Sequence, residues 1–227
     1  MASGRKSKKD GDRCIMTPDV IVDLRSQFGP VRDQGERPTC MAFAASDVHS
    51  FARNSLDVLS AEYAFYHAVH RQLTPDRTKG VSFSAMVDTI AMDGQPMESG
   101  WPYLSDLQPN DPWTPPASPG TIYRRNTTTI ANVLKEIFDA LLTGSPVILG
   151  MEISNSFYNL RAGDVLPVAN EAVAGRHALI AVGLGEQNSA NCLLLRNSWG
   201  TGWGEFGHGW IHEDYLAPRL IVAGIMK

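Results

Sequence analysis

Apolar positions in the first half of the chain recur at helical spacing. Ala44, Ala45, Val48, Phe51 and Ala52 form one stripe, which predicts a helix over about residues 40–54. Ser60 is placed to cap a second helix running to His70, with Glu62 in the first turn, where the helix dipole favours a carboxylate. Residues 82–92 predict a third helix, and Gly94 supplies its stop. The stretch 108–120 holds Pro109, Pro112, Pro115, Pro116 and Pro119, so neither a regular helix nor a central strand runs through it. It reads as the crossing between two lobes. Beyond it, Ile130, Val133, Leu134, Ile137, Phe138 and Leu141 mark an amphipathic helix that ends before Gly144. Strand-like runs follow at 146–153, 177–184, 191–196 and 209–212, and the turn-rich 185–190 joins the second and third as a hairpin. The pattern predicts an α+β chain with three parts. A polar leader (1–19) precedes a helical lobe (20–118) and an antiparallel, barrel-like β lobe (119–227).

Composition narrows the functions open to such a chain. Its 227 residues suffice for two lobes around a cleft. A net charge of −4 argues against general nucleic-acid binding. The one basic cluster, Arg5, Lys6, Lys8 and Lys9, sits in the polar leader and reads as a solvated segment. No run is long and apolar enough to span a membrane, and none near the start resembles a signal peptide. Asn126-Thr127-Thr128 is therefore read as an ordinary helix start rather than a glycosylation site. Three cysteines, Cys14, Cys40 and Cys192, make no disulfide framework, which fits a reducing compartment: cytoplasm, or a host cell into which the protein is delivered. Cys14 and Cys192 read as structural. His67 and His70 share a helix face and His208 and His212 flank Trp210, but neither pair has ligands at zinc spacing, and no phosphate-binding glycine loop precedes a helix. No metal and no cofactor are expected.

Two distant segments carry the chemistry. One is Asp33-Gln34-Gly35-Glu36-Arg37-Pro38-Thr39-Cys40-Met41-Ala42-Phe43-Ala44. The other runs from Gly175-Arg176-His177-Ala178 to Asn197-Ser198-Trp199-Gly200-Thr201-Gly202-Trp203-Gly204. A cysteine opening a helix has its thiol pKa lowered by the helix N-terminus and by a neighbouring imidazolium. A histidine opening one strand and an asparagine closing the next can serve as base and orienting group, and a glutamine amide as oxyanion donor.

These segments resemble those of the papain-like cysteine peptidases, over about residues 22–215 and in the same order. His177 and Asn197 follow Cys40 by 137 and 157 residues, against roughly 130–150 in that family. Val20-Ile21-Val22-Asp23-Leu24-Arg25 resembles the start of the mature enzymes. The chain departs from the family at Arg37-Pro38-Thr39-Cys40-Met41, where secreted members carry Cys-Gly-Ser-Cys-Trp with a disulfide; it is more similar to a bacterial member without that bridge. The resemblance implies a cysteine peptidase with Cys40 as nucleophile, His177 as base, Asn197 as its orienter and Gln34 in the oxyanion hole. It implies Trp199 as a cover over the His–Asn contact. It implies a roomy apolar pocket lined by Val81, Ser82, Gly150, Gly175 and Ala178, with Gly80 bonding an extended peptide and Lys79 and Arg176 ringing the cleft. Expected partners are a peptide or protein substrate and a proteinaceous inhibitor, with a monomer favoured. The short leader implies that no proteolytic activation is needed. Two other readings stay open on the same residues: an acyltransferase using this site, and a catalytically inactive binding module, which Met41 in place of Trp supports.

Overall fold

A computed structural model describes residues 17–167 and 170–226. The basic cluster, Cys14 and nearly all of the leader lie outside the described residues. Three helices occupy the first half: α1 (Cys40–Ala52), α2 (Ala61–His70) and α3 (Phe83–Met92). Ser60 caps α2 by accepting from Tyr63 N at 3.0 Å, and Ser82 caps α3 by accepting from Ala85 N at 3.2 Å. Gly94 takes φ +71° just past α3, a conformation that a side chain would strain. The first helix differs from the expected stripe. Nine of its residues, Met41–Ser46 and Val48–Ser50, are buried, while Phe51 and Ala52 are only partly so. Such all-round burial marks a central helix, and α1 packs against both the other helices and the sheet.

The strands are β1 (Asp19–Asp23), β2 (Thr127–Ile130), β3 (Val147–Ile153), β4 (Val165–Leu166), β5 (Gly175–Gln187), β6 (Ala190–Arg196), β7 (His208–His212) and β8 (Leu220–Met226). Their order is β2-β8-β3-β5-β6-β7-β4, with β1 pairing β5. Among the described residues this is an open path, not the barrel-like closure expected. Because β1 lies ahead of the helices and pairs Val22 with Leu184, the sheet draws on both halves of the sequence. The hairpin is tighter than expected: the ladder runs to Gln187↔Ala190, leaving Asn188 and Ser189 as the turn, both at positive φ.

Residues 126–142 depart most from the pattern. The helix α4 covers only Leu134–Leu142, and Thr127–Ile130 form a strand with Ile130 opposite Ala223. The expected helix start at Asn126 is thus the edge of a sheet. The proline-rich stretch forms no regular element, but its Trp113 packs on the α2 residues Phe65, Tyr66 and His70. Two further short α-helices, α5 (Asn155–Tyr158) and α6 (Glu213–Leu216), and 3-10 turns at Arg25–Gln27 and Glu98–Gly100 complete the described elements.

A partly buried ionic cluster locks helix to sheet. Asp47 of α1 accepts from Arg196 Nε at 2.8 Å and from Arg32 Nη2 at 2.7 Å. Arg196 also donates to Gly29 O and Pro30 O at 3.1 and 2.7 Å. The residue after this anchor is Asn197.

Candidate active site

Cys40 is the first residue of α1 and partly buried. The preceding Thr39 makes no side-chain cap; its hydroxyl bonds Tyr103 Oη at 2.8 Å instead. Ala42 N and Phe43 N donate to Thr39 O, and the amides of Cys40 and Met41 face the thiol. Burial pushes the Cys40 thiol up, and the backbone amides of Ala178, Met41 and Cys40 act against it. Around the thiol by itself, desolvation outweighs the helix start, so a lowered thiol pKa depends on the neighbouring imidazolium.

His177 is the third residue of β5, pairing with Met151 of β3. Its Nε2 lies 2.7 Å from Asn197 Oδ1, which also accepts from Ser198 N at 2.8 Å. Because Asn197 Oδ1 is an acceptor, that ring nitrogen carries the proton, leaving Nδ1 as the basic one. Burial pushes the imidazole down to about 4, while the Asn197 contact works to raise it. Trp199 lies with its ring centroid 4.5 Å from that of His177. Behind it, Phe157 touches both Trp199 and Trp203, and Trp203 Nε1 donates to Phe157 O at 2.9 Å. The glycines of this run shape it: a Cβ on Gly204, at φ +57°, would stand 2.1 Å from His208 O.

Gln34 is held at each of its polar groups. Its N donates to Ser198 O at 2.8 Å and its O accepts from Tyr103 Oη at 2.7 Å. Its Oε1 accepts from Ser198 Oγ at 2.6 Å, and Nε2 donates to Arg37 O at 2.8 Å. With the amide oriented by Ser198, one Nε2 hydrogen is left over.

Cys40, His177, Gln34 and Trp199 line one open cleft of about 630 Å³, together with Gly35–Pro38, Gly80, Tyr158 and Arg176. The structure therefore brings together the Cys, His, Gln and Trp expected from the sequence, with Asn197 directly behind the histidine. The expected substrate pocket is treated less kindly. Gly80 lines this cleft, whereas Ser82 faces a neighbouring cavity of about 550 Å³ with Lys79 and Arg71. Val81 packs on the core, and Ala178 is buried with its amide toward Cys40. A Cβ on Gly150 would stand 2.7 Å from Val222 Cγ2 and 3.9 Å from Met41 Cε, so the room there is already filled. Gly175 sits beside Tyr158 Oη. Of these expected pocket residues only Gly80 lines the cleft that holds Cys40.

Sequence reasoning missed Tyr158, which stacks on Trp199 at 5.1 Å with a 3° interplanar angle and carries no motif that signals it. It also gave no role to Ser198, although that residue stands inside the Asn-Ser-Trp-Gly run. Among the described residues no group of three or more His, Cys, Asp or Glu is placed to hold a metal.

The family model of the papain family cysteine proteases matches residues 19–216. A cysteine protease of Blomia tropicalis is 28% identical over 206 residues, covering 84% of this chain and 60% of that protein. An uncharacterized peptidase C1-like protein of Acanthamoeba polyphaga mimivirus is 28% identical over 222 residues, covering 89% of this chain and 70% of its own. This chain thus spans only about three fifths of the Blomia relative's length. Among solved structures, xylellain, a cysteine protease from Xylella fastidiosa, has a TM-score of 0.75 at 22% identity, covering 97% of this chain and 90% of that one. The Carica candamarcensis cysteine protease CMS1MS2, solved in complex with E-64, has a TM-score of 0.71 at 22% identity, covering 91% and 97%. The open sheet with α1 against it is the papain-like fold, and the chain belongs to the papain family of cysteine proteases.

Proposed function

We propose that this protein is a cysteine peptidase that hydrolyses peptide bonds through an acyl-enzyme on Cys40. One observation carries the reading: Cys40, His177 and Gln34 line a single cleft, with His177 Nε2 2.7 Å from Asn197 Oδ1. In this reading the thiol proton passes to His177 Nδ1, and the thiolate adds to the scissile carbonyl. Burial opposes each charge alone, so thiolate and imidazolium form together and titrate as a pair. The carbonyl oxygen, now an oxyanion, takes hydrogen bonds from the spare Gln34 Nε2 hydrogen and the Cys40 amide. The carbon–nitrogen bond then breaks as His177 gives its proton to the leaving amine. Water, deprotonated by the same imidazole, attacks the thioester and frees the acid and the thiol.

The ligand class this cleft fits is an extended peptide, with Gly80 as its backbone partner. Apolar selection two residues before the cut is expected, limited in size by Met41 and Val222 next to Gly150. E-64, the ligand of the Carica candamarcensis protease, serves as the probe. Mass spectrometry should find it on the peptide containing Cys40 and nowhere in Cys40→Ala, which should also lose peptide turnover. Normal turnover by Cys40→Ala would overturn the proposal.

A further inference from the structure

Glu62 is fully buried in the first turn of α2, and four hydrogen bonds occupy its carboxylate. Its Oε2 accepts from Arg37 Nη1 at 2.5 Å and Leu104 N at 3.0 Å. Its Oε1 accepts from Arg37 Nη2 at 2.9 Å and Trp113 Nε1 at 2.7 Å. A paired fork of this kind fixes angle as well as distance. Arg37 Nη1 also donates to Leu104 O at 2.8 Å, and the guanidinium lies 5.0 Å from the Tyr103 ring centroid. Buried ion pairs seldom stabilise a fold more than apolar residues of the same volume would. The geometry this pair imposes is therefore what needs a reason.

That geometry belongs to the backbone of Arg37. Arg37 O is the acceptor for Gln34 Nε2 at 2.8 Å and for Thr39 N at 2.8 Å. Pro38 follows, and a residue before proline is kept out of the helical region. Tyr103, adjacent to Leu104, donates to Gln34 O and contacts Thr39 Oγ1. One network thus runs from Glu62 through Arg37 to the amide of Gln34. The chain has no cysteine between Cys14 and Cys40 to brace this loop covalently.

We propose that Arg37 and Glu62 are positioning residues, a buried non-covalent brace that aims the Gln34 amide at the developing oxyanion. The proposal rests on the peptidase reading above. Its prediction is selective: removing the brace harms reactions that create an oxyanion and spares those that need only the thiolate.

Two reagents separate these cases. A peptide aldehyde adds reversibly to Cys40: the thiol's proton passes to His177, the sulfur–carbon bond forms, the carbonyl π bond breaks, and its oxygen becomes an oxyanion where Gln34 reaches it. Iodoacetamide alkylates the same sulfur with loss of iodide and generates no oxyanion. Glu62→Gln should weaken aldehyde affinity roughly tenfold to hundredfold, the order expected for a misplaced oxyanion donor. It should leave the alkylation rate unchanged, and its effect on aldehyde affinity should vanish in a Gln34→Ala background. Should Glu62→Gln fail to fold, the double variant Arg37→Met/Glu62→Gln removes both charges at similar volume and is expected to behave the same way. Aldehyde affinity equal to wild type in a folded variant would overturn the brace, as would alkylation falling in step or an additive effect with Gln34→Ala. A wild-type Cys40 inert to both reagents would instead overturn the peptidase reading, and the brace with it.

Discussion

At the level of single residues, Gln34 and Asn197 act by orientation, and their replacement should leave different signatures. Ser198 Oγ and Arg37 O fix the Gln34 amide, so its spare hydrogen costs no reorganisation when the oxyanion appears. Gln34→Ala should lower kcat by about 10²–10³ with little change in KM, read from steady-state kinetics on a peptide amide. Asn197 acts on charge as well as direction, since its contact raises the pKa of an imidazole that burial drives down to about 4. Without it the imidazolium is less stable, and the thiolate that depends on it forms less readily. In Asn197→Ala the acid limb of the iodoacetamide alkylation profile should therefore move to higher pH. A limb that stays in place would show that Asn197 has no electrostatic share in the pair.

Helix caps decide the outcome among the elements, and the two serines differ in what else they hold. Ser82 is exposed and caps α3 through one backbone bond at 3.2 Å. Ser60 is fully buried; it caps α2 and also donates to Trp101 O at 2.6 Å. Ser82→Ala should cost about 1 kcal/mol, and Ser60→Ala about 2 kcal/mol or more, because it also strands a buried carbonyl. Denaturant titration of the two variants checks the order. The Ser60 cap was legible in the sequence, since a cap is a local signal, whereas Ser82 reads there only as the first residue of its helix. The error at Ile130 has the opposite origin. Ile130, Val133, Leu134, Ile137, Phe138 and Leu141 fit one helical period, yet the partner that claims Ile130 is Ala223, in a strand far along the chain. The pairing partner β8 itself went unread.

Across the whole molecule, two buried histidines outside the active-site pair, His49 and His208, are held without charge. Desolvation pushes His49 and His208 each down to about 4. In the unfolded chain a histidine titrates near 6.5. The folded values lie below the unfolded one, so this contribution to stability is complete above about pH 6.5 and is lost as pH falls toward about 4. Thermal melts should show a falling Tm across that window, and a flat Tm from pH 7 to pH 4.5 would remove the argument. His49 and His208 serve no step of the proposed reaction. Replacing either by a neutral residue of similar size should flatten the acid limb without moving the alkylation profile.

The sequence by itself determined which residues can react and in what order they occur along the chain. Cys40 at a helix start, His177 at a strand start and Asn197 in an Asn-Ser-Trp-Gly run are local facts, as are the Ser60 cap and a turn within 185–190. The same pattern announced helices before strands. Tertiary structure alone decided that β1 joins β5, that the sheet stays open, and that Val222 and Met41 crowd Gly150. It also decided that Arg37 meets Glu62 across 25 residues and that Tyr158 stacks on Trp199. Periodicity and capping report only what a residue does with neighbours three or four positions away. Contacts across the cleft depend on where whole elements come to rest, which no local period encodes.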